Sequence, residues 1–141
     1  MRVAVDSSLF IYASQNHDEF GVSSRRILNS INSGEYNGVA SVLCLSEVIA
    51  KPMIISKDLG LKEQLLMEGI SHLDFISVNE EIAIRSAHLR AEHGSKLKLI
   101  DSIHLATAIE WKAGTFITND HNLAKIAIKG LDIKLLRNFS G

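Results

Sequence analysis

Residues 99–120 read LIDSIHLATAIEWKAGTFITND. Within them Ile103, Ala106 and Ile109 recur at i, i+3 and i+6, which predicts a helix over Ile100–Lys112. Gly114 stops that helix, and Thr115–Thr118 follows as a short β-prone run. Asp120 stands just past the run. A helix, a tight turn, a buried strand and an acid at the strand's end make one unit of an alternating α/β chain.

The alternation continues outward from this unit. Toward the N-terminus, Arg2–Val5 is a short apolar run ending in Asp6-Ser7-Ser8, which can cap a helix over Leu9–Ala13. Ser23–Asn32 has helical spacing of Ile27, Leu28 and Ile31 and stops at Gly34. Gly38–Ala40 is a second strand. Val42–Ala50 is a nearly all-apolar helix, expected to end before Pro52. Leu59–Glu68 is helical, Leu73–Val78 a third strand, and Glu80–Glu92 a helix closed by Gly94. Beyond Asp120 the pattern predicts a short helix over Asn122–Ile128 and a last strand over Asp132–Leu136. Short strands separated by helices need right-handed crossovers, which build a parallel sheet covered on both faces. The predicted fold is a three-layer α/β/α arrangement with a mostly parallel central sheet of about five short strands. Ligands of such sheets sit beyond the carboxyl ends of the strands.

A chain of 141 residues and 15.5 kDa, with 46% apolar and 22% charged residues, suits one folded domain spanning 1–141. Fifteen Lys and Arg against sixteen Asp and Glu leave a net charge of −1, which argues against a simple basic nucleic-acid coat. The one cysteine, Cys44, allows no intrachain disulfide and lies in an apolar stretch, as a core residue would. Asp6 interrupts any secretory signal, and no apolar run approaches the ~18 residues of a membrane span, so the expected location is the cytoplasm, without a membrane partner. No phosphate-binding glycine loop and no serine-hydrolase elbow is present.

Four acids stand apart from other charges. Asp6 is the only charged residue between Arg2 and His17, and Glu47 the only one between Glu35 and Lys51. Asp101 and Asp120 have only a histidine each for polar charge-bearing company, His104 and His121. Asp6 and Asp120 each close a strand, Asp101 opens a helix, and Glu47 lies in the helix after strand 2. One pocket at the carboxyl edge can collect all four. Individually, Asp6 and Asp120 also suit helix N-caps, and Asp101 suits the positive end of a helix. Glu47 has no such simple role on its apolar helix. Two carboxylates about 5 Å apart repel by about 3 kcal/mol at an effective dielectric near 20, so four need cations or retained protons. Oxygen-only ligands suit Mg²⁺ or Mn²⁺, and such a site can activate water against a phosphodiester.

The segments VAVDSSLFIYA, SVLCLSEVIAKP and LIDSIHLATAIEWKAGTFITND, with the closing strand, resemble PIN-domain nucleases over nearly the whole chain. The likeness is to VapC-type toxins of toxin–antitoxin pairs. It implies a PIN-like fold and a Mg²⁺-dependent (Mn²⁺ possible) endoribonuclease that hydrolyses RNA, with a small cognate antitoxin and a homodimeric state. It also implies that Asp6, Glu47, Asp101 and Asp120 are both metal ligands and catalytic residues, with Thr118 and Ser7 as supporting polar groups. Ser8 departs from the pattern, standing where the family frequently has asparagine. The alternative is a non-catalytic PIN-fold module that binds RNA or protein; the intact acid set argues against it. A phosphoacceptor domain needs an adjacent acidic pair after strand 1, and Asp6-Ser7-Ser8 has none.

His104 lies one turn from Asp101 and is placed to orient it or to contact RNA. Lys96 and Lys98 precede the Asp101 helix and are the candidate RNA contacts. Leu59–Glu68, with Met67 and Ile70, carries more apolar character than one covered face needs, which suggests a dimer or partner surface.

Overall fold

The computed structural model describes residues 1–15 and 19–139. Five strands form one sheet: β1 (Arg2–Val5), β2 (Asn37–Ser41), β3 (Leu73–Ile76), β4 (Thr115–Thr118) and β5 (Asp132–Leu135). Their order is β3-β2-β1-β4-β5, and every pairing is parallel. Six helices connect and cover them: α1 (Ser7–Gln15), α2 (Gly21–Asn32), α3 (Leu43–Ile55), α4 (Lys57–Glu68), α5 (Glu80–His93) and α6 (Leu99–Glu110). This is the three-layer α/β/α arrangement that the alternation predicts.

Side-chain alternation along the central strands divides the core in two. Val3 and Val5 of β1 and Ile117 of β4 point to one face, where Leu9, Phe10, Ile27, Ile31, Val48 and Met67 of α1–α4 pack. Ala4 and Phe116 point to the other, against Ile82, Leu89, Leu105 and Ala108 of α5 and α6. Both faces of β1 are therefore buried, which is why its sequence is a continuous apolar run.

Two expected elements differ. The helix after β2 does not end before Pro52 but runs on to Ile55 with the proline inside it. A proline there removes one backbone bond, and tertiary packing compensates. The turn beyond Pro52 packs against α4 at Gly60, where a Cβ would lie 2.9 Å from Met53 Cβ. Extended Ser56 then reverses the chain, its Oγ accepting from Leu59 N at 3.1 Å to cap α4. The helix expected over Asn122–Ile128 is only one 3₁₀ turn, Leu123–Lys125, after which Ile126 is extended. Ile126 and Leu131 bury themselves in the α5–α6 side of the core, which a continued helix would not allow.

Candidate metal centre

Asp6 is the first residue past β1, and its N–H still bonds to the Ile117 carbonyl at 3.3 Å. Its carboxylate is buried and held at both oxygens. Oδ1 accepts from the Ser8 N–H at 3.0 Å and from the Ser8 hydroxyl, while Oδ2 accepts from the Thr118 hydroxyl. Because β1 and β4 are neighbours in register, Val5 opposite Ile117, the next residues on each strand meet at this edge. Burial pushes the Asp6 carboxyl above its ordinary range, opposed by the bonds from Ser8 and Thr118 and by the His104 ring.

Thr118 also accepts from Asp120 N–H at 3.1 Å, which ties Asp120 to the same edge. Asp120 is exposed. Its Oδ1 accepts from the N–H groups of Asn122 (2.9 Å) and Leu123 (3.2 Å), so it caps the 3₁₀ turn as well as facing the edge. Asp6 likewise caps α1 through Ser8. The capping and site readings of these two acids are compatible, because a cap holds its carboxylate in one place.

Glu47 projects from the second turn of α3, where its side chain keeps 36% of its surface open. The His104 Nε2–H donates to its Oε1 at 2.7 Å. His104 itself is 3% exposed, and its Nδ1 lies 4.0 Å from the buried Cys44 thiol. The structure thus places His104 against Glu47, in addition to its electrostatic reach to Asp6 and Asp101. Asp101, on the first turn of α6, is half-buried. Its carboxyl is pushed up by burial and by Asp120 and Glu47, while His104 and Lys98 pull it down. The Cys44 thiol is pushed well above its ordinary value by burial and by the charges of Asp6 and Glu47. Asp101 thus feels Asp120 and Glu47, and Asp6 shares with it the influence of His104.

Ser7 opens α1 and is half-buried, but Ser8 is the residue that holds Asp6. An Asp followed two residues later by Ser is the signal that marks it. Lys98 reaches Asp101 electrostatically, whereas Lys96 sits exposed in the 3₁₀ turn Gly94–Lys96. Lys51 was not singled out by the sequence; it lies one turn from Glu47 on α3, the i+4 spacing that puts both on one face. Beside them a groove of about 590 Å³ runs between α1, α3 and α4, lined among others by Ile11, Glu47, Lys51, Pro52, Ile55 and Leu66. On α4, Met67 is buried rather than exposed, while Leu59, Leu61, Leu65 and Leu66 are open.

Carboxylates of Asp6, Glu47, Asp101 and Asp120 are oxygen donors of the type that hard divalent cations take, while among the described residues the one group of three with ligand atoms within 4.8 Å of one another is Cys44, Glu47 and His104. The PIN domain family profile matches residues 3–129. The chain belongs to the PIN domain family. Solved structures similar to this PIN domain include VapBC2 from Rickettsia felis bound to a promoter DNA fragment, with TM-score 0.72 and 20% identity, covering 96% of this chain and 98% of that one. DNA-bound VapBC from Salmonella typhimurium gives TM-score 0.68 and 21% identity over 96% and 98%. A toxin–antitoxin complex from Klebsiella pneumoniae gives 0.67 and 24% over 92% and 94%. At these identities the likeness establishes the shared fold. None of the curated proteins compared with the chain matches it. Among the described residues, no helix is long and apolar enough to cross a membrane.

Proposed function

We propose that this PIN domain is a metal-dependent endoribonuclease, the toxin of a toxin–antitoxin pair, working in the cytoplasm with Mg²⁺ or Mn²⁺. What supports the reading is that Asp6 and Asp120 follow neighbouring strands at the carboxyl edge, with the Asp101 carboxyl raised by burial and by Asp120 and Glu47. A divalent ion bound there supplies Lewis acidity, polarising the phosphodiester and making water a stronger acid. The chain's own residues do the positioning. Ser8 and Thr118 fix both oxygens of Asp6. His104 holds Glu47, and the 3₁₀ turn holds Asp120. Lys98 and Lys51 flank the acids and are placed to take up phosphate oxygens.

The structural neighbours are toxin–antitoxin complexes, which supports an antitoxin as the partner. The α1–α3–α4 groove opens beside Glu47, so a partner segment lying in it would sit next to the acids. A homodimer is the assembly we assign to the free toxin. Induced expression of the chain should slow bacterial growth, Asp101→Asn should relieve it, and co-expressed antitoxin should restore it. Unimpaired growth on strong expression of soluble wild type would count against the toxin role.

A further inference from the structure

Charge is not spread evenly along the chain. Residues 121–141 carry four Lys or Arg and one acid, whereas residues 1–120 carry eleven against fifteen. The basic excess therefore lies in the last segment, immediately after Asp120. The fold sets this segment beside the acids. β5 is the edge strand next to β4, and Leu135 at its carboxyl end is the register partner of Thr118. The Thr118 hydroxyl in turn bonds to Asp6 and accepts from the Asp120 N–H. Here a cleft of about 460 Å³ opens between the 3₁₀ turn Leu123–Lys125 and β5. Lys125 and Lys134 border it with His121 and Asn138, and Ile133 and Leu135 form apolar walls. Among the described residues that line it, none is acidic. Lys125 is exposed, and Lys134 pairs with Asp132 at 3.5 Å, both open to water, so the pair is screened and holds the ammonium weakly. Lysines over apolar walls suit a nucleic-acid strand, whose phosphates take the ammonium groups while its sugars and bases cover the walls. The volume is that of a small-molecule pocket, with room for part of one strand rather than for a duplex.

We propose that this cleft is a subsite for single-stranded RNA, holding the stretch of substrate that leaves the acidic edge past Asp120. The choice of RNA rests on the nuclease reading; the cleft and its charge do not. Lys125 and Lys134 each take one phosphate beyond the reacting one. They hold bound substrate and transition state equally, so they lower KM and leave kcat alone. Attraction for the polyanion is thereby kept on a different segment from the carboxylates that repel it.

The probe is a short fluorescein-labelled oligouridine, its binding to the whole chain followed by anisotropy over a salt series in EDTA, where no cutting is expected. Lys125→Gln and Lys134→Gln should each reduce the slope of log affinity against log salt by about 0.7, and the double variant by about 1.4. Lys112→Gln is the control. Lys112 is exposed and precedes β4, which puts it at the amino edge of the parallel sheet, and its loss should leave the slope unchanged. Circular dichroism checks that each variant is folded. With Mg²⁺ or Mn²⁺, the cleft variants should raise KM for RNA at least about threefold at constant kcat. Unchanged slopes in both cleft variants overturn the subsite and leave its cations to another anionic partner, such as an acidic protein segment. An equal drop in Lys112→Gln also overturns it, since the attraction is then diffuse, as does wild type that binds no RNA even at low salt. A loss confined to kcat would place the two lysines at the reacting phosphate and overturn it too. Reduced slopes in a chain that cuts no RNA with any metal keep the subsite and sink the nuclease reading instead.

Discussion

At the scale of single residues, the chemistry turns on how each acid is held. Asp6 has hydrogen bonds to both oxygens, so removing one donor leaves a buried carboxylate short of a partner, a loss of about 1–3 kcal/mol. Thr118→Val should lower the unfolding free energy by about that amount in denaturant titration, and cleavage should fall with it. The raised carboxyl of Asp6 also has a pH signature. A carboxyl raised in the folded state stabilises the fold below its ordinary pKa, and this contribution is lost as pH rises through the raised value. In EDTA, Asp6→Asn should therefore gain stability relative to wild type as pH climbs above about 4. Paired thermal melts measure this, and a gap that narrows with rising pH would contradict it. Asp6, Glu47, Asp101 and Asp120 stand out in the sequence as candidates because each is isolated among apolar residues. The hold of Ser8 on Asp6 does not stand out in this way, since a serine after a serine looks like an ordinary cap, whereas Cys44, read as core from its apolar neighbours, is buried in the core. Which donor a carboxylate selects depends on backbone direction that composition does not encode.

At the scale of elements, β1, β4 and α6 were readable because apolar period and glycine stops agree there. Pro52 misled, since a local rule met a tertiary contact: the last turn of α3 is held by α4 across Gly60. That contact is testable. Gly60→Ala gains about 1 kcal/mol of helix propensity but meets Met53, whereas Gly60→Val keeps the clash with little such gain. Gly60→Val should cost about 1–3 kcal/mol of stability in denaturant titration, and full stability would show that α3 and α4 can separate freely. The short turn after Asp120 was overread as a helix because capping residues start both, while only core demand from Ile126 and Leu131 decides where it stops.

At the scale of the whole molecule, the net charge of −1 conceals two populations. With the four edge acids set aside, twelve acids face fifteen basic residues, so the remaining surface is mildly basic. RNA affinity should accordingly be weak in EDTA and rise when divalent metal neutralises the edge. Lys51→Gln and Lys98→Gln should each reduce the slope of log affinity against log salt by about 0.7, as expected for one single-strand phosphate contact. Filter binding over a salt series reads this, and unchanged slopes would remove both lysines from the RNA path. The account as a whole stands on the acids at the carboxyl edge acting through a cation. The most direct measurement is cleavage of mixed single-stranded RNA by the purified chain with Mg²⁺ or Mn²⁺, with EDTA, and by Asp6→Asn. Cleavage with metal, none in EDTA, and at least a ~100-fold loss in the variant is the predicted result. Absence of cleavage with every metal, or equal cutting by Asp6→Asn, would contradict it.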